Sequence, residues 1–147
     1  MAVYNHIGQV VTDPKRSMQF YQEVLGFKYW YEFSPPEEAT AKLCSLKSPL
    51  EVTAYYLTLD SFVLELIHYA APGVIAAYQP RAMNQPGLTY LSIAVEDVRA
   101  TAQKAVEFGG QIIEDSDIGF GLFIRDPDGQ LLELLDASFR AQLPPKP

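Results

Sequence analysis

Two apolar segments each carry a single glutamate at their centre: Phe62-Val63-Leu64-Glu65-Leu66-Ile67 and Leu131-Leu132-Glu133-Leu134-Leu135. A carboxylate among large apolar neighbours is costly to bury unless it is paired, hydrogen-bonded or bound to a metal. Each segment follows an aspartate-led turn, Asp60-Ser61 and Asp128-Gly129, so the two glutamates hold equivalent places. A second pair of segments aligns in the same way. His6-Ile7-Gly8-Gln9-Val10-Val11-Thr12-Asp13 lies on Tyr90-Leu91-Ser92-Ile93-Ala94-Val95-Glu96-Asp97, which makes His6 and Tyr90 counterparts. An imidazole with two carboxylates suits Zn, Fe, Mn, Co or Ni and leaves coordination positions open. A metal with open positions can polarise a bound substrate or water. His6, Glu65 and Glu133 are therefore candidate metal ligands, with Tyr90 at the fourth place. Tyrosine ligates well only as phenolate, which needs its pKa of about 10 to be lowered. Three readings of Tyr90 stay open: a phenolate ligand, a neutral hydrogen-bond donor to substrate, or the mark of a lost metal site.

The elements that must position these residues repeat as well. After each opening strand comes a stretch with apolar residues at three- and four-residue spacing, the pattern of one buried helix face. The first runs through Ser17, Phe20, Tyr21, Val24 and Leu25 to Gly26, and the second through Val98, Thr101, Ala102, Ala105 and Val106 to Gly109-Gly110. Asp13 and Asp97 stand where a helix start wants a cap, and the glycines where a left-handed C-terminal turn is wanted. Val52 to Leu59 and Phe120 to Arg125 are the preceding arms of hairpins, the second closed by Asp126-Pro127-Asp128-Gly129. The expectation is an α+β fold of two βαβββ modules related by pseudo-two-fold symmetry, forming a cup-shaped curved sheet. Module one covers 1–71, a linker 72–87 with a short helical turn around Ile75 to Tyr78, and module two 88–140. Residues 141–147 form a disordered tail, and Ser34 to Ala39 an exposed loop.

The remaining residues narrow the function. With 147 residues, one domain built of two intimate halves fits better than two independent domains. A net charge of -7 argues against nucleic acid and against an anionic membrane surface. No apolar run approaches the roughly 20 residues of a bilayer span, and the opening Met-Ala-Val-Tyr-Asn-His lacks the pattern of a secretion signal. The expectation is a cytoplasmic protein. Cys44, the single cysteine, cannot form an intrachain disulfide and is expected to be a small, buried or half-buried hydrophobe. His68 lies an odd offset from Glu65, so strand alternation sends it to the opposite face. Arg125 has two readings, an anchor for an anionic substrate group or a structural ion pair with Asp126. The aromatic run Tyr29-Trp30-Tyr31-Glu32-Phe33, with Tyr55-Tyr56, is explained by β-propensity and packing, or by a cup lined for a flat or apolar ligand.

Asn5-His6-Ile7, Val11-Thr12-Asp13, Ser17, Phe20-Tyr21 and Leu25-Gly26-Phe27 together resemble the opening of the vicinal oxygen chelate superfamily. Asp126-Pro127-Asp128-Gly129 with Leu132-Glu133-Leu134 is similar to its closing motif. The resemblance spans residues 3 to 137. That superfamily includes glyoxalase I, fosfomycin- and bleomycin-resistance proteins, extradiol dioxygenases and methylmalonyl-CoA epimerase. In its metal-binding members the ligands fall on the first and last strands of each half, which maps onto His6, Glu65, position 90 and Glu133. The resemblance implies a glyoxalase-like metal enzyme of isomerase, lyase or epimerase type, acting on a small oxygenated metabolite, with Glu133 or Glu65 as general base and a homodimeric assembly. A metal-free protein that sequesters a drug-like compound is the alternative, and an extradiol dioxygenase is disfavoured by the tyrosine at 90.

Overall fold

The computed structural model describes residues 1–75 and 80–145. The helical turn expected around Ile75 to Tyr78 therefore falls largely outside the described residues. The chain divides into two compact units, 1–77 and 78–147.

In the first unit, β1 (Ile7–Val10) leads into α1 (Pro14–Leu25), followed by β2 (Lys28–Phe33), α2 (Glu37–Cys44), β3 (Glu51–Leu59) and β4 (Phe62–Ala71). The Asp13 side chain accepts from the Arg16 amide, and Pro14 sits at the first helical position, where its missing N–H costs nothing. Gly26 ends the helix at φ 75°, a left-handed conformation that other residues resist. The buried face of α1 presents Ser17, Phe20, Tyr21, Val24 and Leu25. With Leu57, Leu64 and Leu66 from the sheet and Val11 and Phe27 beside it, these form the core of this unit. Each fully buried large apolar side chain contributes about 1.5–3 kcal/mol by leaving water.

The sheet order is β1-β4-β3-β2. The first strand pairs in parallel with the last, Gly8 beside Glu65, while β3 and β4 form a long antiparallel hairpin with Tyr56 opposite Glu65. The segment expected to be an exposed loop is partly helical, because α2 starts at Glu37. Glu37 and Glu38 occupy its first turn, where acidic side chains meet the positive end of the helix. The Thr40 hydroxyl donates to the Pro36 carbonyl, and Glu37 accepts from the Leu50 amide, so the short helix is tied at both sides.

The second unit repeats the plan with β5 (Leu91–Val95), α3 (Val98–Glu107), β6 (Gln111–Ile113), β7 (Gly121–Arg125) and β8 (Leu131–Asp136), then a final helical turn, α4 (Ala137–Arg140). Its sheet order, β5-β8-β7-β6, is that of the first unit element for element. Asp97 caps α3 through the Ala100 amide, and Val98, Ala102 and Ala105 are buried on the helix with Leu122, Ile124, Leu132 and Leu134 buried on the strands. The β7–β8 turn is organised by Asp126, which is buried and accepts from the amides of Asp128 and Gln130. A mixed α+β architecture of two four-stranded sheets, each built as βαβββ, is thus the fold.

Candidate functional site

Parallel pairing of first and last strands brings the chemistry of each unit to one place. His6 immediately precedes β1, and its Nε2 lies 3.1 Å from Glu65 Oε2 on the neighbouring strand. The other carboxylate oxygen, Oε1, accepts a 2.7 Å hydrogen bond from the Tyr56 hydroxyl across the hairpin. The imidazole also meets the Tyr56 ring edge-on, with centroids 5.6 Å apart. His6, Glu65 and Tyr56 thus form one connected group. Burial first, and then the bond to Glu65, pushes the Tyr56 hydroxyl well above the ordinary tyrosine range. It remains a protonated donor throughout the physiological range, fixing one oxygen of Glu65 and leaving the other toward His6.

Gly8 keeps this corner open. A Cβ at that position would stand 3.1 Å from both Glu65 Oε2 and Ile67 Cδ1. Gly8→Ala should therefore push the carboxylate away from His6 and weaken any ligand bound by the pair by about tenfold, the low end of the cost of disturbing a partner that orients a metal ligand. Titration of Zn²⁺ or Mn²⁺ into the variant checks this, and unchanged affinity would show that the corner has slack.

The second unit holds the matching arrangement with different residues. Ser92, the counterpart of Gly8, sits beside Glu133 in the β5–β8 ladder and donates a 2.5 Å hydrogen bond to its Oε2. Tyr90, the counterpart of His6, is half exposed and packs edge-on against Phe123, centroids 5.1 Å apart. Phe123 is opposite Glu133, as Tyr56 is opposite Glu65, but it has no hydroxyl to give. The same geometry therefore carries an imidazole and a phenol in one unit, a phenol and an alcohol in the other.

Arg125 donates from Nη1 to the Gly129 carbonyl at 2.8 Å within its own hairpin. His68 turns away from Glu65, and its Nδ1 lies 3.3 Å from the Val11 carbonyl. Cys44 corrects the expectation of a buried or half-buried hydrophobe. It is exposed, because it is the last residue of α2, a helix whose only buried residue is Thr40. Among the described residues, no three His, Cys, Asp or Glu side chains gather into a group able to hold a metal. Sequence reasoning missed Ser92 and Gly8, and named Tyr56 only as one of the aromatics that could line a cup. Counting outward from the Asp60-Ser61 turn puts Tyr56 opposite Glu65, and strand alternation puts Gly8 and Ser92 on the faces of His6 and Tyr90, so the signal was present in the spacing.

The His6–Glu65 pair suits a shared cation. Two ligands at about 2.0–2.2 Å from a tetrahedral Zn²⁺ stand about 3.4 Å apart, so the 3.1 Å pair need open only slightly to share an ion. The chain belongs to the Glyoxalase/Bleomycin resistance protein/Dioxygenase superfamily, whose model matches residues 3–134. It is 26% identical to the lactoylglutathione lyase of Pseudomonas aeruginosa, over 96% of this chain and 86% of that protein. Among solved structures, a glyoxalase family protein from Bacillus cereus is similar with a TM-score of 0.78 and 18% identity, covering 92% of this chain and 94% of that one. The trypanothione-dependent glyoxalase I of Leishmania major gives a TM-score of 0.68 at 26% identity, covering 93% and 88%. A fosfomycin resistance protein of Listeria monocytogenes, solved in complex with Mn(II) and sulfate, gives 0.59 at 17% identity, covering 92% and 93%. No helix among the described residues is long and apolar enough to cross a membrane.

Proposed function

We propose that this chain is a glyoxalase-like, metal-dependent enzyme of isomerase, lyase or epimerase type, acting on a small metabolite with adjacent oxygens. The observation that carries the reading is the His6–Glu65 pair, an imidazole nitrogen and a carboxylate oxygen 3.1 Å apart on the first unit's opening and closing strands. His6, Glu65 and Glu133 would hold a divalent ion (Zn, Mn, Fe, Co or Ni), with Glu133 supplied by the same chain or by the second copy of a homodimer. The metal would supply Lewis acidity toward the substrate's adjacent oxygens. In the residues themselves, Tyr56 fixes Glu65 by holding Oε1. Glu133 or Glu65 would act as general base toward a carbon-bound proton, and Glu133 Oε2 accepts a hydrogen bond from the Ser92 hydroxyl. Tyr90 and Arg125 would contact substrate, Tyr90 as a hydrogen-bond donor. A cytoplasmic location belongs to the same proposal.

A second reading is favoured by the asymmetry of the two units. Glu133 takes a neutral Ser92 hydroxyl where Glu65 faces an imidazole, and Tyr90 stands in the place of His6, which suits a metal-free protein that sequesters a flat compound. The two readings separate in one experiment. Protein purified without chelator should contain about one metal per chain and lose several degrees of melting temperature in EDTA, since a ligand that binds only the folded state stabilises it. Metal-free protein that takes up none of the five ions and melts identically in EDTA would support sequestration instead.

A further inference from the structure

The edge strand β2 presents Tyr29, Trp30, Tyr31 and Phe33 to solvent, and Trp30 is the most open of them at 59% exposure. Exposed aromatics on a sheet edge are a liability that needs a purpose. The pairing of β2 with β3 slips at Trp30: Tyr29 is opposite Leu57, whereas Tyr31 is opposite Tyr56. This bulge inserts Trp30 as an extra residue, and bulges re-aim side chains next to functional sites. Its consequence is a contact that a regular strand would forbid. Neighbouring Trp30 and Tyr31 meet edge-to-face with centroids 4.8 Å apart, when alternation would send them to opposite faces. Tyr31 in turn lies flat on Tyr56, 4.4 Å away and 8° from parallel. Tyr56 then donates to Glu65 and touches His6.

We infer that Trp30 and Tyr31, backed by the buried Tyr56 on which Tyr31 lies, form a shelf for the planar aromatic part of a substrate, continuous with the His6–Glu65 pair that would receive its oxygens. Only the second half of that statement rests on the proposed function. The shelf stands on the ring geometry alone. A second copy of the chain is the competing occupant, and the bulge argues against it. An interrupted edge with Lys28 and Glu32 in the same strand is poorly suited to strand-to-strand pairing. A ring slotted against Trp30 and Tyr31 needs no regular edge, since aromatic pairs accept stacked and edge-on geometries at 4.5–7 Å.

Trp30 is the single tryptophan, so its indole Nε1–H gives one signal in a nitrogen–proton correlation spectrum. The full chain is titrated with 2-naphthol and with decahydro-2-naphthol, which share a carbon skeleton and a hydroxyl but differ in flatness. The titrations are run with added Zn²⁺ and again with EDTA. The Trp30 signal should move with 2-naphthol at about a tenfold lower concentration than with the saturated compound. That preference should persist in EDTA and fall below about threefold in Tyr31→Leu, which keeps bulk but removes the ring. Trp30→Tyr, followed by calorimetry, should retain the preference. Equal midpoints for the two probes, or an intact preference in Tyr31→Leu, would overturn the shelf. So would a Trp30 signal that moves with protein concentration but not with probe. Failure of metal binding would instead show as identical zinc and EDTA arms with the preference intact.

Discussion

Glu65→Gln should weaken binding of Zn²⁺ or Mn²⁺ by more than about 100-fold, beyond the usual cost of losing an outer partner of a metal ligand, while leaving the fold in place. The substitution is nearly isosteric. Its amide oxygen can still accept from the Tyr56 hydroxyl, as Glu65 Oε1 does at 2.7 Å. What is lost is the anionic oxygen 3.1 Å from His6 Nε2, and an amide nitrogen in its place repels a cation. His6→Ala should match this loss, and the double variant should add little, because partners in one group are not additive. Metal titration by calorimetry gives the affinities, and the circular dichroism spectrum checks the fold. Affinity within a factor of three of the parent would remove Glu65 from the metal site.

Phe20→Ala should destabilise the protein by about 3–5 kcal/mol, the range for deleting a buried aromatic side chain. Phe20 is fully buried on α1 and packs edge-on against Tyr21 at 5.4 Å. Truncation removes apolar burial and leaves a cavity between helix and sheet that the fixed strand ladder cannot close. Whole domains are stable by only about 5–15 kcal/mol, so this variant should unfold at a much lower urea midpoint. A shift worth less than about 1 kcal/mol would mean that α1 can settle into the space. The effect bears on the site, because α1 packs on the same sheet whose other face carries Glu65.

The repeat was legible because it was written twice. Helix caps at Asp13 and Asp97, glycine stops, and paired glutamates on hairpin arms each appear in both halves, so coincidence at one was checked by the other. What the two halves do not share was hard to read. Helix α2 has no counterpart helix of similar length, and Pro35-Pro36 with Glu37-Glu38 reads as a loop until Leu50 is known to donate back to Glu37. Cys44 was misplaced because burial was inferred from residue type, whereas α2 buries only Thr40. Tyr56 and the bulge at Trp30 depend on cross-strand register, which one strand's sequence specifies poorly unless the turn is counted through. His68 could be set aside from sequence alone, since alternation is a property of any strand.

The central claim, a divalent metal held by His6 and Glu65, is tested most directly by anomalous diffraction from crystals grown with Zn²⁺. The expected result is one anomalous peak about 2.0–2.2 Å from His6 Nε2 and from a Glu65 oxygen. A peak elsewhere, or a His6–Glu65 pair still in direct contact at saturating zinc, would contradict it.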